Sequence, residues 1–127
     1  SLIRIPSPRG ESTRIELRCP DPAMNPYLAL AACLRAGLDG IEKQMELPEC
    51  VEGNMFTMGP EDMKSRNVER IPETLGDAIE AFDGDWFMKD VLGDHIYTKY
   101  LEAKEKEWRD FRAQVTDWEV SEYLYKY

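Results

Sequence analysis

Polar and apolar residues alternate strictly along the segment from Thr13 to Cys19. In an extended chain, Arg14, Glu16 and Arg18 would point to one side and the intervening residues to the other. This period of two predicts a β-strand with one polar and one apolar face. On the polar face a carboxylate lies between two guanidinium groups, each about 7 Å away along the strand. Such a face would suit a cation that lies beside phosphate or carboxylate ligands.

A shorter alternating segment comes first, from Leu2 to Pro6, with Arg4 on its polar face. The connection at residues 7–12 contains proline and glycine, which favour turns. The two strands are therefore predicted to pair in an antiparallel manner. Because two isolated strands are only marginally stable in water, we expect the chain to be a fragment of a longer polypeptide that supplies further strands.

Apolar residues then recur every three or four positions, which predicts a helix from about Pro26 to Gln44. Asn25 is the expected N-cap, and proline suits the first helical position. The remaining faces of this helix carry unusually small residues, which would let neighbouring elements approach closely. A buried core helix is therefore expected. Its apolar stripe comprises Tyr27, Leu30, Leu34, Leu38, Ile41 and Met45.

The periodic pattern is lost between Glu46 and Ile71, so this stretch is predicted to be a long surface loop. Helical periodicity then returns and is interrupted at Gly93 and Asp94. The expected helices are one from about Pro72 to Phe82, a short one from Asp85 to Leu92, a long one from His95 to Val115, and a terminal one from Asp117 toward Leu124. The terminal helix begins at a capping-box pattern, Thr116 followed three residues later by Glu119.

The long helix carries a row of residues at positions 97, 101, 104, 108, 111 and 115. Their 4-3-4-3-4 spacing is typical of a seam that packs against another helix. The terminal helix is rich in aromatic residues and is expected to dock on the protein's own core or on a partner. Together these elements predict an α+β chain that is mostly helical, with an N-terminal two-stranded antiparallel unit followed by four to five helices.

Charge and composition narrow the function classes. The net charge of −9 argues against a nucleic-acid partner, because phosphate backbones bind positive surfaces. The first 18 residues are nevertheless basic, with four arginines against two glutamates. No apolar run approaches the roughly 18 residues of a membrane span. Three cysteines without a CxxC pair indicate buried, reduced thiols and a cytoplasmic protein.

Linked motifs in about the first 41 residues resemble the C-terminal part of the catalytic domain of bacterial type I glutamine synthetase. These motifs are Arg4–Pro6, Thr13–Arg18, Pro20–Ala29 and Ala36–Ile41. Further on, Gly93–Tyr97, Glu102–Lys104 and the aromatic end look like the Gram-positive-type enzymes. The resemblance extends over residues 1–127, and it implies that the chain is a C-terminal fragment, roughly the last quarter to third of such an enzyme.

The resemblance implies ATP-dependent ligation of ammonia to L-glutamate through γ-glutamyl phosphate, with two divalent metals, Mg²⁺ or Mn²⁺, between neighbouring subunits. Glu16 matches the family's metal-ligand glutamate, and carboxylate oxygens suit these hard cations. Arg18 matches the arginine that binds the substrate glutamate. Arg4 matches a catalytic arginine near the ATP phosphates, where charge develops during phosphoryl transfer. Arg14 lies where the family contacts the nucleotide.

Regulation and assembly are also implied. Phe56 stands where many Gram-negative enzymes carry the tyrosine that is adenylylated, so that control cannot operate at this position. Glu11 stands where those enzymes have a nucleotide-contacting lysine, and that contact is not carried over. Glu107 matches a glutamate that contributes to feedback inhibition by glutamine at a subunit interface. The implied parent enzyme is a homo-oligomer, a dodecamer.

Simpler alternatives stay open. Without the resemblance, Arg14, Glu16 and Arg18 are best explained as a ladder of ion pairs across strands. Glu107 would then be an ordinary exposed helix residue. The chain could also be a helical oligomerisation or interaction module, or part of a related γ-glutamyl-amine ligase. The 127 residues alone are predicted to be inactive, because one glutamate cannot hold two metals.

Overall fold

The structure is a computed structural model that describes residues 2–47, 57–68 and 70–126. The chain divides into two compact units, Ser1–Lys43 and Gln44–Tyr127. Within the described ranges, the first unit holds two strands and one long helix, and the second holds four helices, so the predicted α+β, mostly helical class is confirmed. The elements are β1 (Ile3–Arg4), β2 (Glu16–Leu17), α1 (Pro26–Glu42), α2 (Pro60–Ser65), α3 (Leu75–Asp83), α4 (Trp86–Arg112) and α5 (Asp117–Tyr123).

The two strands pair in an antiparallel manner, as predicted, but they are much shorter than the alternating segments. Ile3 pairs with Leu17, and Arg4 pairs with Glu16. The backbone N–H of Arg18 donates to the carbonyl of Leu2 at 2.8 Å and continues the pairing by one step. The apolar side of this pair is exposed to solvent. The alternating pattern therefore identified both strands correctly. Their length is set by how many residues of the two segments form hydrogen bonds with each other.

The connection between the strands contains a 3₁₀ turn, Gly10–Ser12. Gly10 has φ +70°, a backbone conformation that a residue with a side chain rarely adopts. Just before the turn, the guanidinium group of Arg9 donates to three backbone carbonyls, at 2.6 Å to Pro6, 3.1 Å to Ser7 and 3.2 Å to Pro8. Arg9 thus serves the local structure of the connection.

Helix α1 begins where the sequence predicts. The side chain of Asn25 accepts hydrogen bonds from the backbone N–H groups of Tyr27 and Leu28, and proline occupies the first turn. The prediction of a buried core helix is wrong for this chain. The apolar stripe faces solvent, with exposed fractions that range from 44% at Leu38 to 81% at Tyr27. Periodicity reports which side of a helix is apolar and does not report whether the chain itself contains the surface that covers it.

The predicted loop between Glu46 and Ile71 contains a short helix, α2, so that prediction is wrong in part. Gly59 is its N-cap, and Pro60 is followed by two acidic residues in the first turn, all favourable at a helix start. Asn67 has φ 53° and ends the helix in the left-handed conformation. These signals were present in the sequence, but six residues are too few for a helical period to stand out.

The packed part of the second unit is the contact between α3 and α4. The ring of Phe82 stacks on that of Tyr97 with centroids 4.7 Å apart. The hydroxyl of Tyr97 donates to the carbonyls of Phe82 at 2.9 Å and Asp83 at 2.8 Å, which completes the C-terminal end of α3. A Cβ on Gly76 would lie 2.8 Å from the ring of Trp108, so this glycine permits close approach. The two pairs show that the helices run antiparallel.

The predicted break in the long helix is present. Gly93 has φ 70° and ψ 158° within α4, so two helical segments meet there. The seam predicted for the second segment is confirmed at Tyr97, which is buried, and at Trp108, which packs on Gly76. The last two seam residues do not follow the prediction. Phe111 is 64% and Val115 is 75% exposed.

Helix α5 is capped as its sequence predicts. Thr116 accepts from the N–H of Glu119, and the Glu119 carboxylate accepts from the N–H of Thr116. The hydroxyl of Thr116 also donates to the Glu119 carboxylate at 2.8 Å. The two donations from Thr116, from its backbone N–H and from its hydroxyl, lower the pKa of the Glu119 carboxyl. The aromatic residues Trp118 and Tyr123 contact each other edge to face, yet both are largely exposed. None of the helices in the described ranges is long and apolar enough to cross a membrane.

The cysteines differ from expectation in one respect. Cys19 and Cys33 are free thiols, as predicted, but both are exposed. The prediction of buried thiols is wrong for these two residues, because the segment after β2 and helix α1 present them to solvent. Cys50 and Phe56 lie outside the described residues.

Candidate functional site

Four of the residues predicted for the site come together on one face of the β1–β2 pair. Arg14, Glu16 and Arg18 lie on the same side of the second segment because side chains of a strand alternate. Arg4 joins them from β1 because the strand register places it directly opposite Glu16. The site therefore depends on local strand geometry and on a single register.

Glu16 lies at the centre of this group. Its Oε2 accepts from Nη1 of Arg4 at 2.9 Å and lies 3.6 Å from Nη2 of Arg18. Its Oε1 accepts from Arg14 twice, at 2.8 Å from Nη2 and 3.2 Å from Nε. We refer to the three arginines around this carboxylate as the arginine cage. Both carboxylate oxygens of Glu16 are engaged by it.

Exposure and charge differ within the group. The side chain of Glu16 is 27% exposed, whereas those of the three arginines are each about half exposed. Hydrogen bonds from Arg4, and then from Arg14, lower the pKa of the Glu16 carboxyl below its usual 4.5. Glu16 is therefore ionised at neutral pH, and the group carries a net positive charge.

The arginine cage is suited to oxyanions. Guanidinium groups bind carboxylates and phosphates through two parallel hydrogen bonds, and here three of them converge. The guanidinium groups are about half exposed and can contact a ligand that arrives from solvent, while the backbone of each arginine is held in the strand segments. A phosphate group and an amino-acid carboxylate are the two ligand chemistries that fit this arrangement.

Glu16 fits the role of one ligand to Mg²⁺ or Mn²⁺, because its carboxylate is ionised and such cations prefer oxygen. It does not form a metal site by itself. Residues 2–47, 57–68 and 70–126 contain no group of three histidine, cysteine, aspartate or glutamate side chains that could hold a metal ion. The other ligands of such a metal would have to come from outside these residues.

The fifth predicted residue, Glu107, lies in the second unit on α4. Its carboxylate forms an ion pair with Lys104 at 2.7 Å, and its side chain is 58% exposed. This geometry matches the simpler interpretation of an exposed helix residue, and a regulatory role for Glu107 stays a prediction.

One feature of the site was not foreseen in the sequence. Arg4 was expected near ATP phosphates, but its direct pairing with Glu16 was not predicted. The signal that could have revealed it is the strand register, in which Arg4 and Glu16 are partners across the antiparallel pair. The predicted ladder of Arg14, Glu16 and Arg18 is thus part of the candidate site, in the same geometry.

Comparison with known proteins gives these residues a family. The family model for the glutamine synthetase catalytic domain matches residues 1–123. A glutamine synthetase of Methanocaldococcus jannaschii is 50% identical over 124 residues, which are 98% of this chain and 27% of the relative. The glutamine synthetase of Clostridium saccharobutylicum is 46% identical over 127 residues, which are 100% of this chain and 29% of that protein.

A glutamine synthetase of Staphylococcus epidermidis is 45% identical over 126 residues, 99% of this chain and 28% of the relative, so Gram-positive enzymes are among the similar proteins, as predicted. A solved structure described as "Apo GmaS without ligand" is similar with a TM-score of 0.71 and 37% identity, over 87% of this chain and 25% of that one. The chain spans less than a third of the length of these relatives. It belongs to the glutamine synthetase family, and its residues match the family's catalytic domain.

Proposed function

We propose that this chain is the C-terminal part of the catalytic domain of a glutamate–ammonia ligase. The complete enzyme would join ammonia to L-glutamate at the expense of ATP, through γ-glutamyl phosphate. The observation that carries this proposal is the convergence of Arg4, Arg14 and Arg18 on Glu16 in a chain that is 46–50% identical to the glutamine synthetases of two organisms. The activity is that of the longer protein, because this chain spans less than a third of its relatives.

Each residue has a role that its chemistry supports. Arg18 binds a carboxylate of the substrate glutamate, for which a planar guanidinium is the best partner in proteins. Arg4 and Arg14 bind the phosphates of ATP, and Arg4 stabilises the charge that develops on the transferred phosphoryl group. Glu16 contributes one oxygen ligand to a divalent cation, Mg²⁺ or Mn²⁺. Such a cation supplies charge neutralisation for the phosphates.

The proposed enzyme is a cytoplasmic homo-oligomer, a dodecamer in the form that the family resemblance implies. The exposed α1 stripe is consistent with a chain whose apolar surface is completed by other parts of the enzyme. That same stripe favours the second candidate function, a helical interaction module that binds partners without catalysis. A related γ-glutamyl-amine ligase is the third candidate, and it would use a primary amine in place of ammonia.

The test is a synthetase assay on the full-length enzyme with ATP, Mg²⁺, L-glutamate and ammonia. We expect Glu16→Gln to lower kcat by about 10²-fold or more, since loss of a single charge-stabilising group commonly costs this much. Arg18→Ala should chiefly raise the KM for L-glutamate. The control for Arg18→Ala is Arg109→Ala, which removes the same positive charge from the exposed face of α4. Methylamine offered in place of ammonia distinguishes the amine ligase.

The 127-residue chain alone is assayed in parallel and is expected to show no turnover, because it supplies one metal ligand. Substantial turnover by the chain alone would contradict its proposed status as part of a shared site. Unchanged kinetics of the Glu16 and Arg18 variants in an active enzyme would overturn the residue roles. An inactive full-length protein that still binds a partner through α1 would favour the interaction module.

A further inference from the structure

We propose that the arginine cage and a divalent cation compete for the carboxylate of Glu16, so that an oxyanion that binds the arginines makes Glu16 available to the metal. This inference rests on the proposed function of Glu16 as a metal ligand. It adds a coupling between two ligands of the same site, in which Arg4, Arg14 and Arg18 act as positioning residues toward Glu16.

The competition follows from how completely the carboxylate is occupied. Oε1 of Glu16 is held by two nitrogens of Arg14, and Oε2 is held by Arg4 with Arg18 close by. Each oxygen therefore already faces positive charge at hydrogen-bond distance. A cation that approaches either oxygen is repelled by the guanidinium group already there, so its binding is favoured when that group moves away.

Exposure indicates which partner can move. The arginine side chains are about half exposed, while the side chain of Glu16 is only 27% exposed. Exposed ion pairs contribute little to stability, so exchange of a guanidinium group from Glu16 to an incoming oxyanion is inexpensive. Phosphate and carboxylate groups both offer the bidentate geometry that guanidinium groups prefer.

The coupling must be reciprocal. If an oxyanion raises the affinity of Glu16 for a divalent cation, the cation raises the affinity of the cage for the oxyanion by the same factor. The guanidinium group that leaves Glu16 is the one that gains the anion, so no arginine is left without a negative partner at any stage. The site would then favour binding of metal and anion together over binding of either alone.

The experiment measures Mn²⁺ binding to the full-length enzyme by electron paramagnetic resonance titration, without turnover. Sodium sulfate serves as the phosphate-like oxyanion and L-glutamate as the carboxylate, each compared with sodium chloride at matched ionic strength. We expect either oxyanion to lower the Mn²⁺ Kd of the wild type by about two- to fivefold, the scale of an exposed ion pair.

Three variants separate the possible causes. Arg14→Gln should lower the Mn²⁺ Kd in chloride by about two- to fivefold and reduce the sulfate effect, because one competitor of Glu16 is gone. Arg9→Gln is the matched control: it removes the same charge from the same segment, but its guanidinium group donates to backbone carbonyls. Glu16→Gln should weaken the binding of at least one Mn²⁺ ion.

The results distinguish failure of the inference from failure of the proposed function. If Glu16→Gln leaves Mn²⁺ binding unchanged, the role of Glu16 as a ligand is wrong, and the inference falls with it. If Glu16→Gln weakens binding but Arg14→Gln and Arg9→Gln behave alike, the effect is one of overall charge and only the competition is overturned. A sulfate effect that equals that of L-glutamate and depends on Arg14 supports the competition for both oxyanions.

Discussion

Each of the two units of the chain is organised by a different kind of internal interaction. In the first unit, the strand pair is organised around an ionic group, with Glu16 between three arginines, while the apolar sides of the strands and of α1 face solvent. In the second unit, α3 and α4 pack through aromatic residues, and the buried large apolar side chains among the described residues, Leu92 and Tyr97, both lie on α4. The first unit thus contains the charged candidate site, and the second contains packed aromatic side chains.

The difference teaches where each unit's stability comes from. Exposed ion pairs contribute little, whereas burial of aromatic surface contributes much more. The second unit can therefore hold its helix pair with its own residues. The first unit carries the site and leaves its apolar surface uncovered, which is the arrangement expected of a segment completed by the rest of a larger enzyme.

The largest effect is expected in the aromatic contact of the second unit. Phe82→Ala removes a ring that stacks on Tyr97 at 4.7 Å and contacts Tyr100 at 5.5 Å. We expect the free energy of unfolding of the 127-residue chain to fall by about 2–3 kcal/mol, somewhat less than for a fully buried phenylalanine. Urea unfolding followed by tryptophan fluorescence measures it.

The control for that change is Phe111→Ala, which also removes a stacked ring but one that is 64% exposed. Its loss should cost less than about 1 kcal/mol, since little area returns to water. Equal costs for the two variants would contradict the difference in packing between the α3–α4 contact at Phe82 and the C-terminal end of α4.

A smaller effect of opposite sign in the two units is expected from two Gly→Ala changes. At Gly76 the new Cβ would lie 2.8 Å from Trp108, so overpacking should outweigh the gain in helix propensity and lower stability by about 1 kcal/mol. At Gly37, on α1, no atom lies within 4 Å of the added Cβ. There the change should raise helix stability by up to about 1 kcal/mol.

Circular dichroism and urea unfolding of both alanine variants measure this contrast. A stabilising Gly76→Ala would show that α3 and α4 are less closely packed than the structure indicates. A destabilising Gly37→Ala would show that α1 is in close contact with another surface at that position.

The smallest effects are changes in stability with pH, which are expected at acid pH for the first unit and at alkaline pH for the second. The guanidinium groups of Arg4 and Arg14 lower the pKa of Glu16, so its contribution is complete above the unfolded value of about 4.5 and is lost as pH falls through the lowered pKa. Burial, together with the charge of Asp83, raises the pKa of Tyr97 above 10.0. Its contribution is complete below 10.0 and is lost as pH rises through the raised pKa.

Hydrogen exchange of the Arg18 amide follows the first transition, since this amide donates to Leu2 across the strand pair. Glu16→Gln should remove the acid transition from the protection factor of that amide, which is its exchange rate relative to that of an unfolded chain at the same pH. Ultraviolet absorbance of tyrosinate follows the second, and Tyr97→Phe should remove its latest-titrating component. If the Glu16 carboxyl and the Tyr97 hydroxyl both titrate at their usual pKa values, the expected difference in pH dependence between the units is contradicted.

Much of the site could be predicted from local sequence, because its geometry is local. The alternation around Glu16 placed Arg14 and Arg18 beside it, and the structure agrees. The pairing of Arg4 with Glu16 required the strand register, which depends on a connection whose length alone does not specify its path. Helix starts were equally local: Asn25 and Thr116 cap α1 and α5 as their side chains predict.

The failures share a different cause. Burial of α1 could not be predicted correctly from its periodicity, because burial depends on partner surfaces that are not encoded in the helix itself. The exposed end of the α4 seam, at Phe111 and Val115, is a second instance. Helix α2 was missed for a simpler reason, since its proline and glycine also occur in loops and its length hides any period.

The backbone conformation of Gly93 limits which amino acids can replace it. Its φ of 70° and ψ of 158° lie in a region that is essentially open to glycine alone, and no atom lies within 4 Å of an added Cβ. The constraint therefore comes from the backbone and not from space. In a saturation library, codon 93 should accept only synonymous changes, while the codons of Lys89 and Asp94, whose exposed side chains form an ion pair across this position, should tolerate broad replacement.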